Sequence, residues 1–192
     1  MVANSRVRGT VKEGRIRTDG RVMMLQNGIK NGLLKKFLTQ SNQSQKSRSY
    51  GGGNYFTDHL PPTMRWLIWD KGQRGFSLAD CEVAWTSQNN AMRIFDYARA
   101  KALQDGKKHP TQKPIALMEW CLGFVKDAST ILDPFMGSGT TLVACQKMGR
   151  AGTGIELDPE YFEIACRRVD EATRQPDMFV QSAPQPKQES MF

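Results

Sequence analysis

The chain has 192 residues, 39% of them hydrophobic, which suits one globular domain with a buried core. It contains no run of 18 apolar residues and no signal-peptide pattern, so we expect no membrane span and a cytoplasmic location. The four cysteines lie far apart and form no C-x-x-C pair, which argues against a zinc site or a disulfide framework.

The net charge of +8 is concentrated at the N-terminal end of the chain. Residues 1–50 hold 11 Lys/Arg and 2 Asp/Glu, whereas residues 51–192 hold 16 and 17. Basicity is therefore no independent sign of nucleic-acid binding beyond residue 50. Within the weakly patterned residues 1–50, Asp19-Gly20 predicts a hairpin, and the stretch from Leu33 to Leu38 predicts one apolar helical face.

Regular elements are predicted mainly in the later part of the chain. Apolar, aromatic-rich stretches at 66–70 and 77–86 predict strands. From Ile115 to Val125 the apolar residues recur at helical spacing after Pro114, which suits a first helical position. Gly149 is a predicted helix stop and Asp158 a predicted helix cap. The remaining predicted elements are strand 129–133, helix 139–148, strand 153–157 and helix 159–173.

The most informative segment is the turn between strand 129–133 and helix 139–148, where Asp133 leads to Gly137 and Gly139. A strand, a glycine-rich turn and a helix hold nucleotide-like ligands at the carboxyl ends of open α/β sheets. Glycines there let the backbone approach a ligand where a Cβ would collide. Glu156 follows Asp133 by 23 positions, near the spacing at which an acid meets a ribose hydroxyl.

The pattern does not favour a ligand with a pyrophosphate. A dinucleotide fingerprint requires a third glycine at the position of Leu142, and the chain contains no Gly-Lys-Ser/Thr of a phosphate-binding loop. A ribose-bearing ligand without pyrophosphate fits better, which leaves a dehydrogenase-like nucleotide binder as the weaker alternative.

Four motifs in this order and spacing resemble those of S-adenosylmethionine-dependent amino-methyltransferases that modify adenine N6 or cytosine N4 in DNA. The run from Asp133 to Thr141 resembles motif I, and the run from Gly154 to Phe162 resembles motif II with its following helix. The string His109-Pro110-Thr111-Gln112-Lys113-Pro114 resembles the segment that precedes motif I in the permuted branch of the family. Residues 52–56, 66–71 and 79–86 resemble the target-side strands of phage and prophage members of the family.

This resemblance, which covers about residues 51–174, implies an α/β Rossmann-like methyltransferase sandwich with a mostly parallel sheet, permuted motif order and an incomplete target half. It implies S-adenosylmethionine as cofactor and double-stranded DNA as partner, and it leaves the oligomeric state open, whereas the expectation of no membrane partner rests on the lack of a long apolar run. The chain is accordingly divided into an atypical basic segment 1–50, target-side strands 51–105, a cofactor-binding region 106–174 and a flexible tail 175–192 rich in Pro, Gln and Ser.

The resemblance also assigns the cofactor contacts. Glu156 would bind the ribose hydroxyls, and the segment from His109 to Lys113 would close over the cofactor. No residue is assigned to a metal. The amino-acid side of the cofactor would lie against Asp133, Pro134, Phe135, Gly137, Ser138 and Gly139.

The family's catalytic tetrapeptide, Asp/Asn/Ser-Pro-Pro-Tyr/Phe/Trp, is missing from the chain. It should precede Gly52, and its polar side chain and a backbone carbonyl would hold the amino hydrogens of a flipped base that stacks on the aromatic ring. Leu60-Pro61-Pro62-Thr63 is the only Pro-Pro, lacks the polar and the aromatic member, and is interpreted as a loop. No catalytic residue can be assigned. A catalytically dead remnant that binds cofactor or DNA is therefore an alternative, and a small-molecule or RNA methyltransferase is a weaker one.

The same absence predicts a structural gap, because the strand that ends in this tetrapeptide lies beside the strand that ends at Asp133. Without it the central strand would have an unpaired edge in a sheet meant to be buried on both faces. Residues 1–50 would have to supply a substitute, for which Val22-Met23-Met24-Leu25 is the modest candidate. One hypothesis for the break is that residues 26–50 are translated one base out of register, which the coding DNA would test directly.

Overall fold

The computed structural model describes residues 2–4, 22–25, 47–75, 77–104 and 112–174. The predicted hairpin at Asp19-Gly20, the predicted helical face between Leu33 and Leu38 and the predicted tail 175–192 lie outside these residues. In the described part of the chain, no helix is long and apolar enough to cross a membrane.

One mixed sheet organises the described residues. Its strands are β1 (Val2–Asn4), β2 (Val22–Leu25), β3 (Ser47–Gly51), β4 (Trp66–Asp70), β5 (Cys81–Thr86), β6 (Arg93–Asp96), β7 (Thr130–Asp133) and β8 (Ala151–Ile155). The helices are α1 (Arg99–Gln104), α2 (Ile115–Leu122), α3 (Thr140–Lys147) and α4 (Pro159–Arg174), and a 3₁₀ turn covers Gly53–Tyr55. The alternation β7-α3-β8-α4 is that of a parallel α/β unit.

The strands lie in the order β1-β8-β7-β2-β3-β5-β4-β6. Six of the described strands, β2, β3, β4, β6, β7 and β8, run in one common direction. The other two, β1 and β5, are antiparallel to it. The carboxyl ends of β7 and β8 therefore lie side by side, with Asp133 paired to Gly154. This edge is where open α/β sheets bind their ligands. The predicted Rossmann-like α/β class with a mostly parallel sheet is confirmed.

The predicted gap beside the central strand is filled by β2. Val22 and Met23 pair in parallel with Ile131 and Leu132 of β7, and β2 also pairs in parallel with β3. The backbone groups of β7 therefore have strand neighbours on both sides, as buried peptide groups require. The prediction that residues 22–25 substitute for the missing strand is confirmed, and the described residues 2–4, 22–25 and 47–50 of the N-terminal segment all belong to this sheet.

The predicted elements of the later part are present with small shifts. Strand 66–70 and helices 139–148 and 159–173 agree with the structure within one residue at each end. Strand β5 and helix α2 are shorter than predicted, because β5 starts only at Cys81 and α2 ends at Leu122.

The strand predicted at 153–157 is placed too late, since β8 spans Ala151–Ile155. The glycines at 152 and 154 look unfavourable in a strand, and the sequence-based start lies past the first of them. In the fold they are required by packing, because a Cβ on either Gly152 or Gly154 would lie 2.8 Å from the side chain of Leu142 in α3. The close fit of α3 over β8 thus explains the shift.

Apolar residues cover both faces of the sheet. On one face, Leu67 and Trp69 of β4 and Ile131 of β7 share a core cluster with Leu117 and Leu122 of α2. The alternation along β4 sends Trp66 to the other face, where it packs in a second cluster. Helix α2 therefore bridges the target-side strands and the strand that carries Asp133.

The second face is built around Trp85 of β5. Trp85 pairs directly with Tyr50 of β3, and the two rings stack with their centroids 5.3 Å apart. Trp85 is 2% exposed, and its indole N–H donates to the carbonyl oxygen of Pro61 at 2.8 Å. The Pro61-Pro62 segment is a loop, as predicted. Its hydrogen bond with Trp85 places it over this face of the sheet, so its role is structural.

The helix boundaries follow the sequence signals. Asp158 Oδ1 accepts the N–H groups of Glu160 at 2.8 Å and Tyr161 at 3.2 Å, which confirms the predicted cap of α4. Gly149, at φ 66°, follows α3 as the predicted helix stop. Ala165 and Val169 of α4 are buried in a cluster with residues of α3, so α4 packs on α3.

Trp85→Ala should lower the free energy of unfolding by about 3–5 kcal/mol, because it removes a buried ring and leaves a cavity. Urea denaturation followed by circular dichroism measures the change. Tyr55 is 73% exposed and provides the control, since Tyr55→Ala should cost less than about 0.5 kcal/mol. Equal losses in the two variants would contradict the central place of Trp85 in the core.

Candidate cofactor site

The glycine turn, defined here as residues 134–139, begins where β7 ends. Asp133 is fully buried, and its Oδ1 accepts the N–H of Phe135 at 3.1 Å. Gly137 and Gly139 have φ values of 51° and 77°, in the left-handed region that favours glycine. The chain therefore reverses tightly at the carboxyl edge of the sheet before it enters α3.

Glu156 lies directly beyond β8 and contacts this turn. Its Oε2 accepts the N–H of Gly137 at 2.9 Å, and its Oε1 accepts the N–H groups of Leu157 at 2.8 Å and Asp158 at 3.0 Å. Three backbone donors thus hold the carboxylate against the glycine turn. Asp133 and Glu156, the two acids predicted to serve one ligand, lie at the same edge of the sheet.

Gly139 is needed for helix packing as well as for its backbone angle. A Cβ on Gly139 would lie 2.8 Å from the Cβ of Ala165 in α4. The sequence alone predicts that glycine here lets the backbone approach a ligand. The close neighbour found at this position is α4, so a substitution of Gly139 would test packing rather than ligand binding.

The start of α3 supplies backbone donors at the end of the turn. Its first helical hydrogen bond runs from the N–H of Val143 to the carbonyl oxygen of Gly139 at 3.0 Å. The N–H groups of the first three residues of α3 consequently have no partner within the helix. Their partial positive charge favours a carboxylate beside the turn.

The predicted flanking segment is described in part. His109, Pro110 and Thr111 lie outside the described residues. Gln112 reaches the glycine turn, because its Oε1 accepts the hydroxyl of Ser138 at 3.0 Å. The structure thus brings Gln112 together with motif I.

Lys113 is directed to the target-side strands. Its Nζ lies 2.7 Å from Glu82 Oε2 of β5, and the Nζ of Lys71, just after β4, lies 3.0 Å from Glu82 Oε1. A cavity of about 300 Å³ opens beside these three residues. Burial acts to raise the pKa of Glu82, but the ammonium groups of Lys113 and Lys71 outweigh it and hold the pKa below its ordinary value. Sequence reasoning misses Glu82 and Lys71, because single charges at strand ends give no spacing signal.

The structure gives no reason to place a metal at this site. Within the described ranges, no group of His, Cys, Asp and Glu could hold a metal ion. Cys121 and Cys145 are free and buried, and burial raises the pKa of both thiols to about 12. They behave as small apolar groups of α2 and α3.

The sequence profile of the N6/N4 DNA methylase family matches residues 26–167. The chain belongs to this family. The matched range includes the glycine turn, Glu156 and the target-side strands β4 and β5. Methyl transfer in the N6/N4 DNA methylase family uses S-adenosylmethionine.

Curated relatives in the N6/N4 family are similar over part of their length. Type II methyltransferase M2.DpnII of Streptococcus pneumoniae is 35% identical over 119 aligned residues, with 50% of this chain and 44% of that protein covered. DNA adenine methyltransferase YhdJ of Escherichia coli K12 is 39% identical over 82 residues, with 42% of this chain and 28% of that protein covered. The chain therefore spans less than half the length of these curated relatives.

Solved methyltransferase structures share the fold. The M1.HpyAVI–SAM complex matches with a TM-score of 0.60 at 23% identity and covers 80% of this chain and 90% of that chain. A putative DNA modification methylase from Thermus thermophilus, complexed with S-adenosyl-L-methionine, matches with a TM-score of 0.56 at 15% identity, covering 82% and 89%. At these identities the likeness concerns the sheet and its helices.

Glu82→Gln should lower the free energy of unfolding at neutral pH by about 2 kcal/mol, because the largely buried ammonium groups of Lys71 and Lys113 lose their counter-charge. Folding lowers the pKa of Glu82, so its contribution is fully present above the ordinary value of 4.5 and is lost as pH falls through the lower folded value. The difference between wild type and variant should therefore shrink in acid, as measured by urea denaturation at a series of pH values.

The control for this variant is Glu119→Gln. Glu119 pairs with Lys147 at 3.1 Å in a more exposed setting, and the loss there should stay below about 1 kcal/mol. A difference for Glu82→Gln that does not change with pH would contradict the role given to its charge.

Proposed function

We propose that this chain binds S-adenosylmethionine between the glycine turn and Glu156, and that it acts in a site-specific methyltransferase that modifies adenine N6 or cytosine N4 of double-stranded DNA. The observation that carries the proposal is the hydrogen bond from the Gly137 N–H to Glu156, which makes one binding edge of two strand ends. Membership of the DNA methylase family and similarity to DNA methyltransferases support DNA as the substrate. Such an enzyme would act in the cytoplasm.

The described residues fit this cofactor. The carboxylate oxygens of Glu156 are the acceptors that ribose hydroxyls need. In the turn, the Gly137 N–H donates to Glu156 and the Gly139 N–H donates to the Met136 carbonyl, so the Ser138 N–H is the turn's donor for the carboxylate of the amino-acid side, beside the positive dipole end of α3. Asp133, Pro134 and Phe135 would border that side where β7 ends. The segment from His109 to Lys113 would flank the cofactor through Gln112.

The protein contributes positioning to the reaction. When bound, S-adenosylmethionine supplies a methyl group carried on a positively charged sulfur. The rate then depends on an in-line approach of the amino nitrogen to the methyl carbon, which is an effect of orientation. The glycine turn and Glu156 would fix the cofactor at two points and thereby set the direction of the methyl group.

The amino group of the target base needs a contact for which this chain offers no assigned residue. The family's tetrapeptide should follow the strand beside β7, a place that β2 takes here. In the sequence, Leu25 is followed by Gln26-Asn27-Gly28, which lacks both prolines and the aromatic member. No residue is therefore proposed as catalytic, and a transfer assay decides whether the chain turns over on its own.

Calorimetry with S-adenosylmethionine and a labelled-methyl transfer assay on double-stranded DNA test the proposal together. The expected result is a heat of binding and label in adenine N6 or cytosine N4. Heat without transfer would identify a catalytically dead, cofactor-binding remnant, in line with the missing tetrapeptide. Absence of both signals would contradict the proposal, and binding of NAD instead of S-adenosylmethionine would favour the dehydrogenase-like alternative.

Glu156→Gln should weaken the binding of S-adenosylmethionine at least about tenfold, because one of the two acceptor oxygens becomes an NH2 group, which cannot accept a backbone N–H or a ribose hydroxyl. Glu160→Gln in the first turn of α4 removes the same charge from an exposed position and should leave Kd within about twofold of wild type. Calorimetry gives both values. Unchanged affinity in Glu156→Gln would remove Glu156 from the site.

A further inference from the structure

Arg168 of α4 lies against the glycine turn from the side of the helix. Its NH1 donates to the carbonyl oxygen of Ser138 at 2.5 Å, to Ser138 Oγ at 2.9 Å and to Thr140 Oγ1 at 3.2 Å. Thr140 is the first residue of α3. One guanidinium therefore spans the junction between the turn and the helix that follows it.

The hydroxyl of Ser138 is held between two partners. It accepts a hydrogen bond from Arg168 and donates one to Gln112 Oε1 at 3.0 Å. Ser138 thus ties α4, the glycine turn and the flanking segment together. Because its hydroxyl hydrogen is used by Gln112, the part of Ser138 suited to a ligand is its backbone.

The charge of Arg168 is not balanced by a carboxylate in contact. Its guanidinium is half-buried, and its hydrogen bonds go to neutral oxygens. Within the described part of the chain, Arg168 takes part in no ion pair. Burial lowers the pKa of Arg168, and the charge of Glu171 opposes this shift.

A second source of positive potential lies at the same place. The start of α3 carries the positive end of the helix dipole, and its first N–H groups have no partner within the helix. Two positive sources close together repel each other, and an anionic group beside them relieves this repulsion. The turn is therefore better suited to a carboxylate than its neutral residues alone would make it.

We propose that Arg168 is a positioning residue for the carboxylate end of the cofactor, which fixes the Ser138 backbone and adds positive charge behind the turn without touching the ligand. This inference rests on the proposed binding of S-adenosylmethionine. It divides the ligand into two parts: affinity for the amino-acid half depends on Arg168, whereas affinity for the nucleoside half depends on Glu156.

The test compares two ligands by calorimetry. S-Adenosylhomocysteine has the nucleoside and the amino-acid half, whereas methylthioadenosine has the nucleoside and a thioether but no carboxylate. Arg168→Met should weaken S-adenosylhomocysteine binding about tenfold and methylthioadenosine binding less than about twofold. Only the first ligand has a carboxylate, which loses the attraction of the Arg168 charge and meets a Ser138 backbone that Arg168 no longer holds. Arg168→Lys keeps the charge but not the planar donor geometry, and it should recover part of the affinity.

Arg167→Met is the matched control, because Arg167 is the exposed neighbour on the same helix and the change in net charge is identical. It should leave the affinity for both ligands unchanged. Equal weakening of both ligands by Arg168→Met would overturn the proposal and leave Arg168 with a role in loop shape alone. No weakening of either ligand would overturn it as well.

Two further outcomes are distinguishable. If Arg168→Met shows no cooperative thermal transition, Arg168→Lys is compared with wild type, and an equal loss for both ligands then overturns the proposal. If wild type binds neither ligand, the proposed function itself fails and the role of Arg168 falls with it. If wild type binds both ligands and Arg168→Met weakens both equally, only the role of Arg168 is contradicted and the proposed function stands.

Discussion

The hydrogen bond from the Gly137 N–H to Glu156 joins two neighbouring strand ends into one site. It requires β7 and β8 to run in parallel with Asp133 beside Gly154. Beside it, α3 packs so closely on β8 that Leu142 leaves no room for a side chain at two positions of that strand. The geometry of the site is thus set by backbone pairing and helix packing, before any ligand contact is considered.

A row of polar contacts leads from this site to the target-side strands. Arg168 and Gln112 meet at the hydroxyl of Ser138. Lys113, the next residue after Gln112, meets Glu82 of β5. Because Gln112 and Lys113 are adjacent in the chain, one short segment holds the glycine turn with one side chain and β5 with the next. The glycine turn and strand β5 are therefore joined by these side-chain contacts as well as through the shared sheet.

Signals that act within a few residues explain what the sequence predicts well. The glycine before α3 and the Asp158 cap before α4 are signals carried by neighbouring residues in the sequence, so the ends of α3 and α4 are predicted almost to the residue. Contacts between distant residues carry no such signal: Glu82 meets Lys113, and Arg168 meets Ser138, only once the sheet and its helices are in place. The start of β8 is missed for the same reason, because the need for glycine in this strand comes from the packing of α3 against it.

Strand β2 shows that scaffold and reactivity are separable in this chain. Main-chain hydrogen bonding is largely indifferent to side-chain identity, so residues 22–25 complete the sheet although the sequence after them lacks the family's tetrapeptide. The residues that keep the sheet paired are therefore different from those that a reaction at its edge would need, and a substitution can remove the second kind without opening the sheet.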